Sequence, residues 1–383
     1  MNGRSLVYGD GQGDEAQSSS DCAYGYTTLV ETVLPMQVDC VAWCRKLRWV
    51  VAIGAYQLDA GNSSNRVGRV YLLVLKPNGD RESGEHEYVT SVLEEVSTSG
   101  VLDLKWEPLE ENLLGVATSS SITIFRLDFE NGLPILEKHK EVILEDNIMA
   151  LYIEWIRPNR VLIGDSGGSV QIYGLTDSDS LVCMESKKFH EYLVWVIHYD
   201  SRTDTIYSGA DDGKFFAFYS KDINTSAKHV VKKFDVGVTS ITTYKDYLAV
   251  GCYDDNLRVY SQVAGEMKPT LTMKTVINLG GAVWRTIWIP EKVFLPGNSS
   301  EEQDEYLIIG AACARNGIHI VRINTTDWSS GVVLSCNEHL GPLAYGFDIR
   351  VNQDDKSFTI ASCYFDSHLF HVWDVKKETI GVL

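Results

Sequence analysis

Three short stretches carry letters that hydrolytic or metal chemistry uses. Gly164–Asp165–Ser166–Gly167–Gly168 fits the G-x-S-x-G pattern of a nucleophile elbow, in which a serine is held on a sharp strand-to-helix turn. Here a strand-like segment, Val170–Tyr173, follows instead of a helical one, so the glycines equally fit a hairpin turn and Ser166 is a minor candidate nucleophile. His190–Glu191–Tyr192–Leu193–Val194 begins like the zinc motif H-E-x-x-H, but Val194 stands where the second His belongs, and no metal is expected. Gly209–Ala210–Asp211–Asp212–Gly213–Lys214 is one residue short of a phosphate-binding loop and lacks the following Ser or Thr. The eight cysteines contain no C-x-x-C pair and read as small buried hydrophobes of a reducing compartment.

These residues sit on a repeated unit. Each copy has an alternating strand that often ends in Trp, an apolar strand ending in small residues, and a strand ending in an aromatic. The aromatics Phe125, Tyr173, Phe218 and Tyr260 fall 42–48 residues apart. Seven copies, each with room for an outer strand, predict an all-β, seven-bladed β-propeller over residues 25–383, because a blade buries both faces only between neighbours in a ring. Residues 1–24 are Gly-, Ser- and acid-rich in their middle and are expected to form a disordered leader. After Asp374 too few residues remain for an outer strand, so Thr27–Leu34 is expected to supply it and close the ring. Residues 291–305 read as a solvated loop insertion.

In a propeller, the starts of the innermost strands and the turns between second and third strands share one rim. That rim gathers His190, Glu191, Trp195, Trp284, Arg285 and Tyr345 from strand starts, and Ser166, Asp211, Asp212, Asp254, Asp255, Asp366 and His368 from turns, with Asp348 somewhat deeper. Structural roles compete at each place. His190 with Asp211 or Asp212 fits a buried network that braces a blade. Asp254 and Asp255 fit turn formers. The tryptophans fit wedges between blades, and Arg285 needs an acidic partner such as Asp348 or Asp211 if it is buried.

The net charge is −18, from 34 basic and 52 acidic residues, which argues against nucleic-acid backbone binding and suits a basic protein partner. No apolar run spans a bilayer and no signal peptide opens the chain, so a cytoplasmic, monomeric protein without membrane contact is expected.

The Ser208–Gly209–Ala210–Asp211–Asp212–Gly213 turn and the terminal Val372–Trp373–Asp374 resemble WD-repeat signatures. A more specific set runs in order through blades four to seven. It comprises His190–Glu191 with Trp195, Gly251–Cys252–Tyr253–Asp254–Asp255, Gly280–Gly281–Ala282–Val283–Trp284–Arg285 with Trp288, Leu343–Ala344–Tyr345–Gly346–Phe347–Asp348, and Cys363–Tyr364–Phe365–Asp366–Ser367–His368. This set resembles the diphthine methyl ester hydrolase family, the WD-repeat enzymes of diphthamide synthesis. Ala282 is an insertion, Ile349 replaces an expected Trp, and Asp366 and His368 are spaced differently from the family's adjacent pair.

The resemblance implies a hydrolase that removes the methyl ester from methylated diphthine on translation elongation factor 2, with no cofactor. In that reading His190 takes a proton from attacking water, His368 with Asp366 is the rival base, and Arg285 stabilises the oxyanion. Trp195, Trp284 and Tyr345, with Glu191, Asp211, Asp212 and Asp348, meet the substrate and its fixed positive charge. The alternative is a non-catalytic WD-repeat scaffold that holds a basic protein partner on the same rim.

Overall fold

The computed structural model describes residues 25–59, 61–78, 87–109, 112–156, 159–177, 180–224, 230–263, 269–290, 306–352 and 357–380. The expected leader and the 291–305 insertion lie outside them. The protein is a seven-bladed β-propeller: its strands form seven four-stranded sheets, and no α-helix occurs among the described residues. No described helix is long and apolar enough to cross a membrane.

Seven innermost strands ring the central channel. They are β2 (Gln37–Trp43), β6 (Val101–Trp106), β10 (Ala150–Trp155), β14 (Val194–Asp200), β18 (Val238–Tyr244), β22 (Arg285–Ile289) and β26 (Ala344–Val351). Each touches the next around the circle, and β26 meets β2 to complete it. The second strands are nearly wholly buried, as in β7 (Leu113–Thr118) and β15 (Thr205–Ala210), because both faces of every sheet lie against a neighbouring blade.

A recurring steric device sets the distance between blades. The second strands place Gly54, Gly164, Gly209 and Gly251 where a Cβ would lie 2.4, 2.8, 2.4 and 2.6 Å from Cγ1 of Val101, Val194, Val238 and Val283. Each valine belongs to the next blade: Val101, Val194 and Val238 open its inner strand, and Val283 lies two residues ahead of β22. These second-strand glycines are thus sockets for the following blade.

The last sheet draws on both ends of the chain. β1 (Thr27–Val33) pairs antiparallel with β28 (Leu369–Lys376), setting Thr27 opposite Asp374 and Val33 opposite Leu369. Val30, Leu34, Val372 and Phe370 then share one apolar cluster with Val51 and Ile53 of the first blade. The longest strands are in that blade, where β4 (Asn62–Asn78) runs 17 residues and pairs with β5 (Glu87–Ser99).

Candidate active site

One backbone irregularity recurs at the start of the inner strands. Pairing with the second strand skips a residue between Val38 and Cys40, Val101 and Asp103, Ala150 and Tyr152, Val194 and Val196, Val238 and Ser240, and Ala344 and Gly346. The skipped residues are Asp39, Leu102, Leu151, Trp195, Thr239 and Tyr345. A bulge re-aims the side chain of the extra residue, and all six line a cavity of about 140 Å³ at one mouth of the channel. In the sixth blade Trp284 takes the same place, one residue ahead of β22, its N–H donating to the Ala312 carbonyl at 2.8 Å. Each blade therefore contributes one residue to this layer: three aromatics, one acid, two leucines and a threonine.

The aromatics form a continuous arc. Trp195 and Trp284 ring centroids are 5.3 Å apart, and Trp284 stacks on Tyr345 at 4.7 Å. Tyr253 extends the arc beside Trp284, and Phe365 links Tyr345 to Tyr56. The indole N–H of Trp195 donates to Asp211 Oδ1 at 2.5 Å, which fixes the ring's orientation. Such a wall of π faces attracts a cation by its quadrupole.

Beneath the arc lies a small set of buried charges. Arg285 Nη2 donates to Asp103 Oδ1 at 3.1 Å, and the Arg285 guanidinium lies 5.0 Å from the centre of the Tyr152 ring. Burial works against the Arg285 charge, but the Asp103 carboxylate together with Tyr152, Cys40 and Asp39 outweighs it and drives its pKa upward. Asp39 is only 8% exposed. Burial pushes its carboxyl up to about 8; nearby Arg285 opposes this and Asp103 adds to it. A carboxyl that titrates near neutrality, in a cavity with an arginine, is equipped for acid–base work.

A second, larger cavity of about 300 Å³ opens toward the other end of the channel, where Arg285 and Tyr152 are joined by Asp103. Lys105 Nζ pairs there with Glu154 Oε2 at 2.7 Å. Burial raises the Glu154 carboxyl, but Lys105 and His198 overcome it and leave the pKa at about 2.

The expected site residues divide between these places. Trp195, Trp284, Arg285 and Tyr345 converge on the first cavity, and Asp211 supports Trp195 from the rim. Asp348 does not join them. It lies farther down β26 and lines the opposite cavity, where Oδ2 accepts the Trp43 N–H at 2.8 Å.

His190 is also elsewhere. Its side chain is fully buried, with Nδ1 3.0 Å from Asp212 Oδ1 and Nε2 2.9 Å from Ser208 Oγ. The Asp212 carboxyl is raised by burial but lowered more by His190 and two backbone N–H donors, to about 2. Both imidazole nitrogens are engaged in bracing the fourth blade, and neither reaches the cavity. Glu191 is exposed and pairs with Lys214 at 2.6 Å. Asp366 pairs with Arg315 at 3.0 Å on the outer rim. His368 is a turn residue at φ 58°, its carbonyl accepting the Leu34 N–H. Neither Asp366 nor His368 lines the cavity.

Ser166 Oγ accepts the Met149 N–H at 2.9 Å in a tight turn between β11 (Arg160–Asp165) and β12 (Ser169–Leu175), so the strand-to-helix elbow is absent. Asp254 pairs with Arg258, and Asp255 occupies a turn at φ 63°.

Asp39, Asp103 and Tyr152 were missed. Their signal was present: Asp39 holds the repeat position of Trp195 and Tyr345, while Asp103 and Tyr152 hold that of Arg285. Superposing all seven inner strands, rather than the four blades with family motifs, picks out all three.

No protein-family model matches the chain. A protein named "Diphthine methyltransferase homolog" from Dictyostelium discoideum is 26% identical, across 85% of this chain and 92% of its own. Proteins named "Diphthine methyltransferase" from Schizosaccharomyces pombe and Homo sapiens are 28% and 25% identical, covering 85% and 82% of this chain and 90% and 72% of theirs. Proteins named diphthine methyltransferase are homologues of this chain. The homology to diphthine methyltransferases spans most of the chain, not only the blades that carry motifs. Among solved structures, a chain of the mitotic checkpoint complex superposes with TM-score 0.63 at 15% identity, over 98% of this chain and all of that one. Sqt1 from Chaetomium thermophilum gives 0.60 at 13%, over 85% and 80%. At such identities these likenesses bear on the propeller fold alone.

Proposed function

We propose that this protein acts in diphthamide biosynthesis as a hydrolase, removing the methyl ester from methylated diphthine on translation elongation factor 2. The observation that carries the reading is the convergence of Trp195, Trp284 and Tyr345 with Arg285 and the buried Asp39 in one cavity. The aromatic arc suits the fixed quaternary ammonium of the substrate, and Arg285 suits the oxyanion of ester cleavage. The cavity of about 140 Å³ is small beside the roughly 300–1,000 Å³ of drug-sized ligand sites. It favours the tip of a modified side chain with a water molecule over a nucleoside-bearing methyl donor, although the relatives' printed name says methyltransferase.

In this mechanism ionised Asp39 takes a proton from water as the water oxygen attacks the ester carbonyl. Arg285 holds the negative charge that develops on the carbonyl oxygen. Collapse of the tetrahedral intermediate breaks the bond to the methoxy oxygen, which receives the proton from Asp39 and leaves as methanol. The carboxylate product remains on the histidine, and one proton is released to solvent.

Purified protein mixed with methyl-esterified elongation factor 2 is expected to release one methanol per modified histidine and lower the substrate mass by one methylene. Tight binding without methanol would instead support the scaffold reading.

A further inference from the structure

The closing sheet carries a second constellation, remote from the channel mouth. Ligand-capable atoms of Glu31, Glu338, His339 and His371 all lie within 4.8 Å of one another. They come from three segments: β1, the connection between β25 (Ser330–Cys336) and β26, and β28. We propose that these four residues bind one divalent transition-metal ion of the zinc type, which clasps the N-terminal strand to the last blade.

Ring closure itself creates the site. Glu31 and His371 are direct partners in the β1–β28 register, so their side chains project on the same face. A slip of one residue would send Glu31 to the opposite face. His339 is brought over that pair from the preceding connection. Its Nε2 lies 2.8 Å from Glu31 Oε1, and Nε2 of His371 lies 4.0 Å from the same oxygen. The two imidazoles meet edge to face, with centroids 5.0 Å apart and planes at 85°. Two imidazole nitrogens and two carboxylates make a donor set that suits zinc more than magnesium or calcium, which favour all-oxygen shells.

Access and support are both present. The Glu31 side chain is 44% exposed, so an ion can enter from solvent, while that of His371 is fully buried and anchors the inner side. One contact competes: Thr28 Oγ1 lies 3.0 Å from His371 Nε2, and a bound ion displaces it. The consequence is structural, because β1 forms the outer edge of the seventh sheet through its pairing with β28.

The test uses the full chain, stripped with chelator and titrated with Zn²⁺ alone by calorimetry, with Mg²⁺ in parallel. Binding of one equivalent of Zn²⁺ and a rise in melting temperature are expected, with Mg²⁺ producing neither. Glu31→Gln and His339→Gln, both partly exposed and so compatible with folding, should each weaken Zn²⁺ binding by about 10–100-fold or more and abolish the rise. Circular dichroism of the metal-free variants checks that the blades are intact. Zinc bound equally well by both folded variants, or bound without any thermal effect, overturns the proposal.

Discussion

Arg285 and Asp103 stand 182 positions apart in the chain and meet across the channel at 3.1 Å. Their side chains are 15% and 2% exposed, so the pair is buried; both line the larger cavity, and Arg285 lines the smaller one too. Removing either partner strands the other charge. Arg285→Met is therefore expected to cost about 3–5 kcal/mol of stability, read from urea unfolding, and Asp103→Leu in the same chain should recover much of it. A single variant as stable as the parent contradicts the pairing.

Asp39 gives a pH signature. If its carboxylate is the base, the rate of methanol release should climb with pH and level off above about 8, the value to which burial raises it. Asp39→Asn should lose about 10²–10⁴-fold in rate. A pH-independent parent enzyme, or an active Asn variant, removes Asp39 from the mechanism.

The same group makes a stability prediction of opposite sense. Between the usual carboxyl pKa of about 4 and the folded value of about 8, the folded chain holds a proton that the unfolded chain has released. The Asp39 contribution to stability is thus fully present below about pH 4 and is lost progressively as pH rises through that window. Asp39→Asn should flatten this decline. Urea midpoints measured at about pH 5 and about pH 9 would reveal it, and identical pH profiles for parent and variant would count against a proton held on Asp39.

His190 is expected to matter for stability and not for chemistry. His190→Ala takes one hydrogen bond from Asp212, which keeps its two backbone N–H donors, and strips the buried Ser208 hydroxyl of its imidazole partner, at roughly 1–3 kcal/mol for the unsatisfied group. The melting temperature should fall while the folded fraction keeps near-parental turnover. A well-folded variant with turnover reduced by about 10²-fold or more would restore the base role to His190.

The aromatic arc should act on substrate affinity. Trp284 touches Trp195, Tyr253 and Tyr345, and its loss removes a cation–π contact of about 0.5–2 kcal/mol. Trp284→Ala should raise KM by about 2–30-fold, with Trp284→Phe intermediate. An unchanged KM for the charged substrate would show that its ammonium binds elsewhere.

The repeats were legible in the sequence because their signals are local. Alternation within a strand, a small residue at its end and a turn after it depend on neighbours a few positions away, and each recurs seven times. Trp195, Trp284, Arg285 and Tyr345 could be placed on one rim for the same reason. Local pattern could not say which polar residues face the cavity. That choice depends on the bulge that turns Asp39 inward, set by pairing with the next strand, and on the hydrogen bonds that draw His190 into the body of its blade. It depends also on closure of the ring, which places Asp39 and Asp103 of the first two blades near Arg285 of the sixth. The sequence alone determined the seven-bladed ring and the aromatic rim. Only the tertiary structure decided which buried charges meet inside it, because those meetings join residues that no local rule relates.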